Sequence, residues 1–268
     1  MIGSIAGDII GSIYERKPHK SKEFPLFNPR CRFTDDTVLT VAVADAILSG
    51  RPYVETLAEY GRRHPDAGYG GTFRQWLQTI DLKPYNSWGN GSAMRVSPVG
   101  FAFDPEEEVL REATRSAEVT HDHPEGIKGA QATALAVSMA RTGRTKEEIR
   151  AEITARFGYR LDTTVEAIRP EYRFDVSCQG TVPAAVVAFL DSTSYEDAVR
   201  NAISLGGDAD TLACIAGGMA EAFYGGVPAE IRTRALDTLP DDLREITIAF
   251  EQKFGQDRAT EKSGAVNK

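Results

Sequence analysis

Cysteine and histidine are scarce in this sequence, with 3 Cys and 4 His among 268 residues. The thiols of Cys31, Cys178 and Cys214 lack the paired spacing of a zinc site, and their odd number leaves one outside any disulfide scheme. His121 and His123 are close in sequence, but no other His or Cys cluster joins them, and side chains two positions apart point differently. We therefore expect reduced thiols and no zinc site.

Basic residues are also fewer than acidic ones, 31 against 39, and the net charge is −8. Such a chain is poorly suited to a broad nucleic-acid footprint and better suited to a site that concentrates cations. The first residues, MIGSIAGDIIGSIYERK, have no basic region and are too short for a membrane span. We expect a soluble cytoplasmic protein, a monomer, with no membrane or strong nucleic-acid partner.

Strand patterns are missing, because polar and apolar residues do not alternate repeatedly and no strand precedes a glycine-rich stretch. Apolar residues recur instead at helical spacing. With 41% hydrophobic residues, the chain can bury one core of ordinary size. We predict an all-α fold with one domain over residues 1–255 and a frayed polar tail over 256–268.

Two short acidic stretches, Thr34-Asp35-Asp36-Thr37 and Asp208-Ala209-Asp210-Thr211, each precede an apolar helix. A helix N-terminus favours a carboxylate, but one capping side chain is normally enough. A single acidic pair is more often a cap with a solvated neighbour, whereas two such pairs brought together would repel each other without cations. Carboxylate and hydroxyl oxygens suit hard divalent ions, so the duplication predicts a split metal site.

The first helical pattern, residues 2–14, has small residues at spacings of three and four, which permit a close approach to another backbone. Asp8 lies inside this pattern and would be costly to bury unless it is hydrogen-bonded. We expect Glu15 to end the helix. The following segment, 16–32, is basic and broken by proline, and is either a loop that reaches over the site or a solvated linker.

At Gly7-Asp8-Ile9-Ile10-Gly11-Ser12-Ile13-Tyr14-Glu15 and at the two acidic stretches, the chain resembles the ADP-ribosylglycohydrolase family. The resemblance spans about residues 1–226. It implies a compact single-domain orthogonal helical bundle that hydrolyses the bond between ADP-ribose and an acceptor. The family's acceptors include arginine and serine side chains.

The resemblance also implies roles for individual residues. Two Mg²⁺ ions, or Mn²⁺ in their place, would be held by Thr34, Asp35, Asp36, Asp208, Asp210 and Thr211. Glu15 and Asp36 would be catalytic, with Glu15 nearest the bond that breaks, as a base or as a ligand.

Three further runs are similar to substrate-binding motifs of the family. Gly68-Tyr69-Gly70-Gly71-Thr72 opens a helix, where backbone N–H groups can face a phosphate. Asn86–Arg95 is similar to the Gly-Asn-Gly-x-x-Met-Arg motif, and Thr120–Pro124 to Thr-His-x-x-Pro. The implied substrate residues are Gly70, Gly71, Thr72, Ser87, Trp88, Gly89, Asn90, Gly91, Met94 and His121. Trp88 could instead be a buried anchor of its loop.

Two other functions fit the same residues. Paired carboxylates also serve a metal-dependent phosphohydrolase acting on a nucleotide-like substrate. A non-catalytic family member would bind ADP-ribose without cleaving it, although intact acidic stretches argue against this. The acceptor is left open by the sequence.

Overall fold

Helices make up the regular structure of residues 1–255, the part of the chain that the computed structural model describes. This confirms the predicted all-α class. Within that range there are fifteen helices and one isolated bridge, between Gly89 and Ser177, with no β-strand. The helices are α1 (Ile2–Gly11), α2 (Asp35–Ser49), α3 (Tyr53–Arg63), α4 (Gly71–Leu77), α5 (Gly91–Met94), α6 (Ser97–Ala102), α7 (Glu106–Ala117), α8 (Pro124–Arg141), α9 (Lys146–Phe157), α10 (Val165–Ile168), α11 (Cys178–Leu190), α12 (Tyr195–Ser204), α13 (Ala209–Tyr224), α14 (Ala229–Thr238) and α15 (Asp241–Phe254).

Helix α13 lies at the centre of the fold, because every residue from Ala209 to Ala222 is buried. Helices α1, α8, α11 and α12 pack against it. All ten residues of α1 are buried as well. The helix pair α1 and α13 therefore forms the inside of the protein rather than one of its faces.

The small residues of α1 allow its backbone to touch that of α13. A Cβ atom added to Gly7 would lie 2.5 Å from the carbonyl carbon of Ala213, and one added to Gly11 would lie 2.6 Å from the Cα atom of Asp210. Real Cβ atoms do not come so close to another backbone, so only glycine fits at these positions. The contact places Asp8 of α1 beside the first turn of α13.

The N-termini of α2 and α13 carry the two acidic stretches, as predicted. Thr34 precedes α2, and its Oγ1 atom accepts a hydrogen bond of 3.3 Å from the backbone N–H of Asp36. Asp208 precedes α13 but its side chain makes no capping bond within residues 1–255. The Asp208 carboxylate is therefore not used to cap its own helix.

The first helix ends earlier than its apolar pattern suggests. Helix α1 stops at Gly11, where the hydroxyl of Ser12 donates to the carbonyl of Ile9 and Tyr14 N–H bonds to Gly11 at the tighter spacing of a turn. The prediction that Glu15 ends this helix is wrong. Glu15 lies in the turns that follow.

Among residues 1–255, none of the helices combines the length and the apolar run that a membrane span needs. The predicted tail, 256–268, lies outside the described residues.

Candidate metal and substrate site

A cavity of about 380 Å³ opens over the N-termini of α2 and α13. Its wall contains nearly all of the predicted site residues, although they come from distant parts of the chain. Those that line it are Glu15, Thr34, Asp35, Asp36, Gly70, Gly71, Thr72, Ser87, Gly89, Asn90, Gly91, Met94, His121, Asp208, Asp210 and Thr211. Trp88 is not among the described residues of this wall, and its side chain is half exposed.

Three buried carboxylates form the acidic cluster, which we define as Asp8, Asp36 and Asp210. One oxygen of each lies within 4.8 Å of the others. Burial, together with the charges of neighbouring carboxylates that include Asp8 and Asp208, raises the pKa of Asp36 and of Asp210 well above the ordinary range. A cation among them would relieve both effects.

The donor atoms of the acidic cluster fit a hard divalent ion. Asp36 Oδ1 is buried and has no hydrogen-bond partner among residues 1–255. A buried carboxylate oxygen without a donor is unfavourable unless something else coordinates it. The acidic cluster, Thr34 and Thr211 offer carboxylate and hydroxyl oxygens. Oxygen is the ligand that Mg²⁺ and Mn²⁺ prefer.

Asp8 stabilises the site through hydrogen bonds from the start of α2 and does not line the cavity. Its carboxylate accepts hydrogen bonds from Thr34 N (2.9 Å), Thr34 Oγ1 (2.7 Å), Thr37 N (3.1 Å) and Thr37 Oγ1. Burial raises the pKa of Asp8 to about 6, against the effect of these donors. Asp8 therefore holds the first turn of α2 against α1, and it is a site residue that the sequence prediction did not include.

Two threonines join the halves of the site. The hydroxyl proton of Thr34 is directed to Asp8, which leaves a lone pair of its oxygen available to a cation. Thr211 Oγ1 lies 3.4 Å from Asp36 Oδ2, so α13 reaches across to α2. The two acidic stretches therefore meet, as their duplication predicted.

Asp35 and Asp208 lie on the cavity wall beside the acidic cluster. Burial and the charges of Asp8, Asp208 and Glu15 raise the pKa of Asp35 to about 7. Burial also raises the pKa of Asp208, although the side-chain amide of Asn90 donates to Asp208 Oδ2 at 2.7 Å. The carboxylates of both residues remain open to the cavity.

Glu15 lines the same cavity and is about a quarter exposed. Its charge contributes to the raised pKa values of Asp35, Asp208 and Asp210, so it lies within electrostatic reach of both halves. Helix α1 ends before it, and the turns that follow bring Glu15 to the cavity wall.

A second group of side chains, Arg95, Thr120 and His121, forms what we call the donor cluster. All three residues are buried. Arg95 Nη2 donates to Thr120 Oγ1 at 2.9 Å, and Thr120 Oγ1 lies 2.7 Å from His121 Nδ1. The sequence prediction included His121 but neither of the residues behind it.

The glycine-rich loop around Asn90 lies between the acidic and donor clusters. A Cβ atom added to Gly91 would lie 3.1 Å from His121 Nε2. Besides Asp208, the amide of Asn90 donates to Thr181 Oγ1 at 3.1 Å, and its backbone N–H donates to the carbonyl of Val176 at 2.8 Å. Asn90 thus connects the loop to Asp208 and to the segment before α11.

The loop before α4 exposes backbone groups of its glycines to the cavity. A Cβ atom added to Gly70 or Gly71 would find no atom within 4 Å in the described structure. Gly68 has a positive φ of 109°, and its added Cβ would lie 3.5 Å from Asp35 Oδ1. The loop therefore runs beside the acidic half, and its predicted role in phosphate binding stays a prediction.

Comparisons with known proteins agree with this architecture. Residues 1–260 match the family model described as ADP-ribosylglycohydrolase. The chain is similar to the ADP-ribosylhydrolase ARH3 of Mus musculus, with 26% identity over 94% of this chain and 87% of that relative. It is also similar to the ADP-ribosylarginine hydrolase Tri1 of Pseudomonas putida, with 26% identity over 86% of this chain and 71% of Tri1.

A solved structure, an ADP-ribosylglycohydrolase-related protein complex, has the same fold. It aligns with a TM-score of 0.69 and 24% identity, and the alignment covers 93% of this chain and 94% of that one. The family match, which extends over nearly the whole sequence, completes the assignment. The chain belongs to the ADP-ribosylglycohydrolase family.

Proposed function

We propose that the protein is a divalent-metal-dependent hydrolase that releases ADP-ribose from a modified acceptor. The observation that carries this proposal is the acidic cluster at the base of the cavity, with the orphaned oxygen of Asp36. The same cavity gathers the loops whose motifs resemble the family's substrate-binding segments. The names of the relatives, ADP-ribosylhydrolase and ADP-ribosylarginine hydrolase, support the reaction class.

We assign the metal ligands to the two acidic stretches. Mg²⁺ in proteins usually takes only one or two carboxylates and keeps several waters. The cavity offers more carboxylates than a single such ion needs, which supports two ions, Mg²⁺ or Mn²⁺. When bound, they would supply the positive charge that orients the terminal ribose and a water molecule. The proposed ligands are Thr34, Asp35, Asp36, Asp208, Asp210 and Thr211.

The chain's own residues provide the remaining chemistry. The backbone of Gly70–Thr72 and Ser87–Gly91, with His121, would bind the diphosphate and the ribose distal to the acceptor. We assign Glu15 as the group that accepts a proton from water while the water oxygen bonds to C1″ of the terminal ribose. The bond from C1″ to the acceptor breaks at the same time, and the acceptor leaves with the electron pair and takes up a proton.

A product analysis tests this proposal. The full chain, stripped with EDTA and supplied with Mg²⁺, Mn²⁺ or neither, is incubated with ADP-ribosylated arginine and with an ADP-ribosylated serine peptide. We expect free ADP-ribose by liquid chromatography and mass spectrometry, only when metal is supplied. The acceptor that is released identifies the substrate class.

Other outcomes would contradict the proposal in distinguishable ways. AMP as the product would indicate a phosphohydrolase. ADP-ribose binding by calorimetry without turnover of any acceptor would indicate a non-catalytic member. Turnover that persists in EDTA would remove the metal from the reaction.

A further inference from the structure

The donor cluster also bears on which ring nitrogen of His121 carries a proton. Arg95 and Thr120 are both fully buried, and they stand behind the imidazole ring in one hydrogen-bonded row. A hydroxyl placed between a guanidinium and an imidazole has only one proton to give. Where that proton goes decides which nitrogen of His121 is protonated.

The proton of Thr120 can be traced from its partners. A guanidinium donates and cannot accept, so Thr120 Oγ1 must accept the bond from Arg95. The remaining bond, to His121 Nδ1, either donates or accepts. If Nδ1 donated, the buried hydroxyl proton would lose the only acceptor nitrogen beside it, at a cost of about 1–3 kcal/mol for an unpaired polar group.

Within residues 1–255, the short hydrogen bonds of Thr120 Oγ1 are those to Arg95, at 2.9 Å, and to His121, at 2.7 Å. The ring of Tyr85 lies 6.1 Å from that of His121 between centroids, but Tyr85 makes no such short bond to Thr120. Thr120 therefore accepts from Arg95, and its own proton goes to His121 Nδ1.

The surroundings of His121 also oppose a charged ring. Arg95 is a buried cation, and its Nε and Nη1 atoms have no hydrogen-bond partner in the described part of the chain. Burial and the charge of Arg95 lower the pKa of His121 well below its ordinary value. The imidazole is therefore neutral, with one ring proton to place.

The other ring nitrogen faces the substrate side. His121 lines the cavity, and its Nε2 atom lies against the loop at Gly89 and Gly91, where added Cβ atoms would be 3.7 Å and 3.1 Å away. The absence of side chains at these glycines leaves space for a ligand atom to approach Nε2.

We infer that Thr120, held by Arg95, fixes His121 as the neutral tautomer protonated at Nε2. His121 then donates a hydrogen bond to an oxygen acceptor of the ligand and cannot serve as a general base or a metal ligand at that nitrogen. Thr120 and Arg95 are positioning residues that act through the histidine. The ligand half of this inference rests on the proposed function, in which ADP-ribose occupies the cavity.

Nitrogen NMR of the full chain, without ligand, tests the tautomer directly. Long-range ¹H–¹⁵N correlations distinguish a protonated from an unprotonated imidazole nitrogen, and His121→Gln identifies the signals by their loss. We expect a protonated Nε2 and an unprotonated Nδ1 at neutral pH. A protonated Nδ1, or a charged ring, in the wild-type protein overturns the inference without any variant having to fold.

Substitutions of Thr120 test the cause. Thr120→Val keeps the shape and removes the hydroxyl, so we expect the Nδ1 and Nε2 signals to move toward a mixture of tautomers. Thr120→Ser keeps the hydroxyl and should restore the wild-type pattern. A valine variant with unchanged nitrogen signals would show that Thr120 does not fix the ring.

Calorimetry with ADP-ribose tests the ligand half. The loss of one oriented donor weakens binding by roughly 5-fold in Thr120→Val, and Thr120→Ser should bind like the wild type. Equal affinity in the valine and wild-type proteins contradicts a donor role for His121. If the wild type itself does not bind ADP-ribose, the proposed function fails, while the nitrogen spectrum still decides the tautomer.

Discussion

The acidic cluster and the donor cluster lie on one cavity, but their electrostatics differ. In the acidic cluster, three carboxylates come within 4.8 Å of one another, and within residues 1–255 the side chains that bond to Asp36 are the neutral hydroxyls of Thr34 and Thr211. In the donor cluster, a buried guanidinium donates to a carbonyl and to the hydroxyl of Thr120, which in turn bonds to a neutral histidine ring. The first lacks positive charge and the second lacks negative charge.

This difference indicates what each region requires from outside the chain. Repelling buried carboxylates are stabilised by a cation, whereas buried N–H groups are stabilised by oxygen acceptors. The proposed ligands, ADP-ribose and divalent ions, would supply both. Asn90 joins the two regions, because its amide donates to Asp208 while its loop lies beside His121. The substitutions described next act on the acidic side of the cavity and leave the donor cluster unchanged.

The largest effect is expected from removing a carboxylate of the acidic cluster. Asp36→Ala should reduce hydrolysis by about 10⁴-fold or more, because bound ions supply several kcal/mol of charge stabilisation. In EDTA the variant should melt at the same temperature as the wild type or higher, since repulsion is relieved. Activity assays and thermal denaturation measure the two effects. Asp162→Asn, an exposed acid outside the cavity, is the control.

Glu15→Gln should have the next largest effect. The amide keeps the shape of the side chain but cannot accept a proton, so turnover should fall by about 10²–10⁴-fold. Binding of ADP-ribose should change only a few fold, which single-turnover kinetics and calorimetry would resolve. Glu23→Gln, exposed on the same segment, serves as the matched control. Normal turnover would reduce Glu15 to a structural role, and lost binding would make it a substrate ligand.

A substitution at Gly7 tests whether the contact between α1 and α13 holds the acidic cluster together. Gly7→Ala forces a Cβ atom against the backbone of Ala213, which cannot move aside, so the helices must separate. We expect a loss of about 1–3 kcal/mol in the free energy of unfolding. Mg²⁺ affinity should weaken by about 10-fold, because Asp8, which orients the residues proposed to hold the ion, would shift with α1. Denaturant titration and calorimetry measure these changes.

Gly70, on the wall of the cavity, provides the control for Gly7. Gly70→Ala adds a methyl group where the described structure leaves open space at a negative φ, and its stability should match that of the wild type. If Gly7→Ala were as stable as Gly70→Ala, the close contact of the helices would not hold the site.

The last expected effect is on stability alone, through its dependence on pH. The pKa is raised to about 6 for Asp8 and about 7 for Asp35, from an unfolded value of about 3.9. Between these limits the folded state binds more protons than the unfolded state, so stability falls as pH rises from about 4 to 7. Urea titrations of the metal-free protein at pH 5, 6 and 7 should show this fall.

Asp35→Asn removes one of these groups and should make that pH dependence less steep, and saturating Mg²⁺ should do the same for the wild type. Asp162→Asn should leave it unchanged. Identical slopes for the wild type and Asp35→Asn would show that the charge of Asp35 is not a cost to the folded state.

Local patterns predicted much of the fold. Helical spacing predicted the all-α class, and the glycine spacing of α1 indicated its close partner. The repeated acidic stretches predicted that α2 and α13 would meet, because the two share the same chemistry. Trp88 was predicted as a substrate residue from its motif, yet the structure places it half exposed beside the cavity.

The role of Asp8 could not be predicted from its own neighbourhood. A single acid in an apolar helix shows that a partner is needed, but its donors, Thr34 and Thr37, lie 26 and 29 positions away. The same holds for Arg95, whose hydroxyl partner Thr120 is 25 positions further along the chain. Contacts of this kind depend on how helices pack, and no local spacing encodes them.

The contact between α1 and α13 also has a consequence for the order of folding. Thr211 reaches Asp36 across 175 residues of chain, and Gly3 N–H bonds to Glu221 across 218. Closing such long loops costs entropy before the contacts form, and such contacts form slowly. During synthesis, α1 emerges first and has no α13 to pack against until Tyr224 has left the ribosome. The acidic cluster therefore assembles only once nearly the entire domain has been translated, so a chain that ends before α13 lacks the site that we propose for the ions.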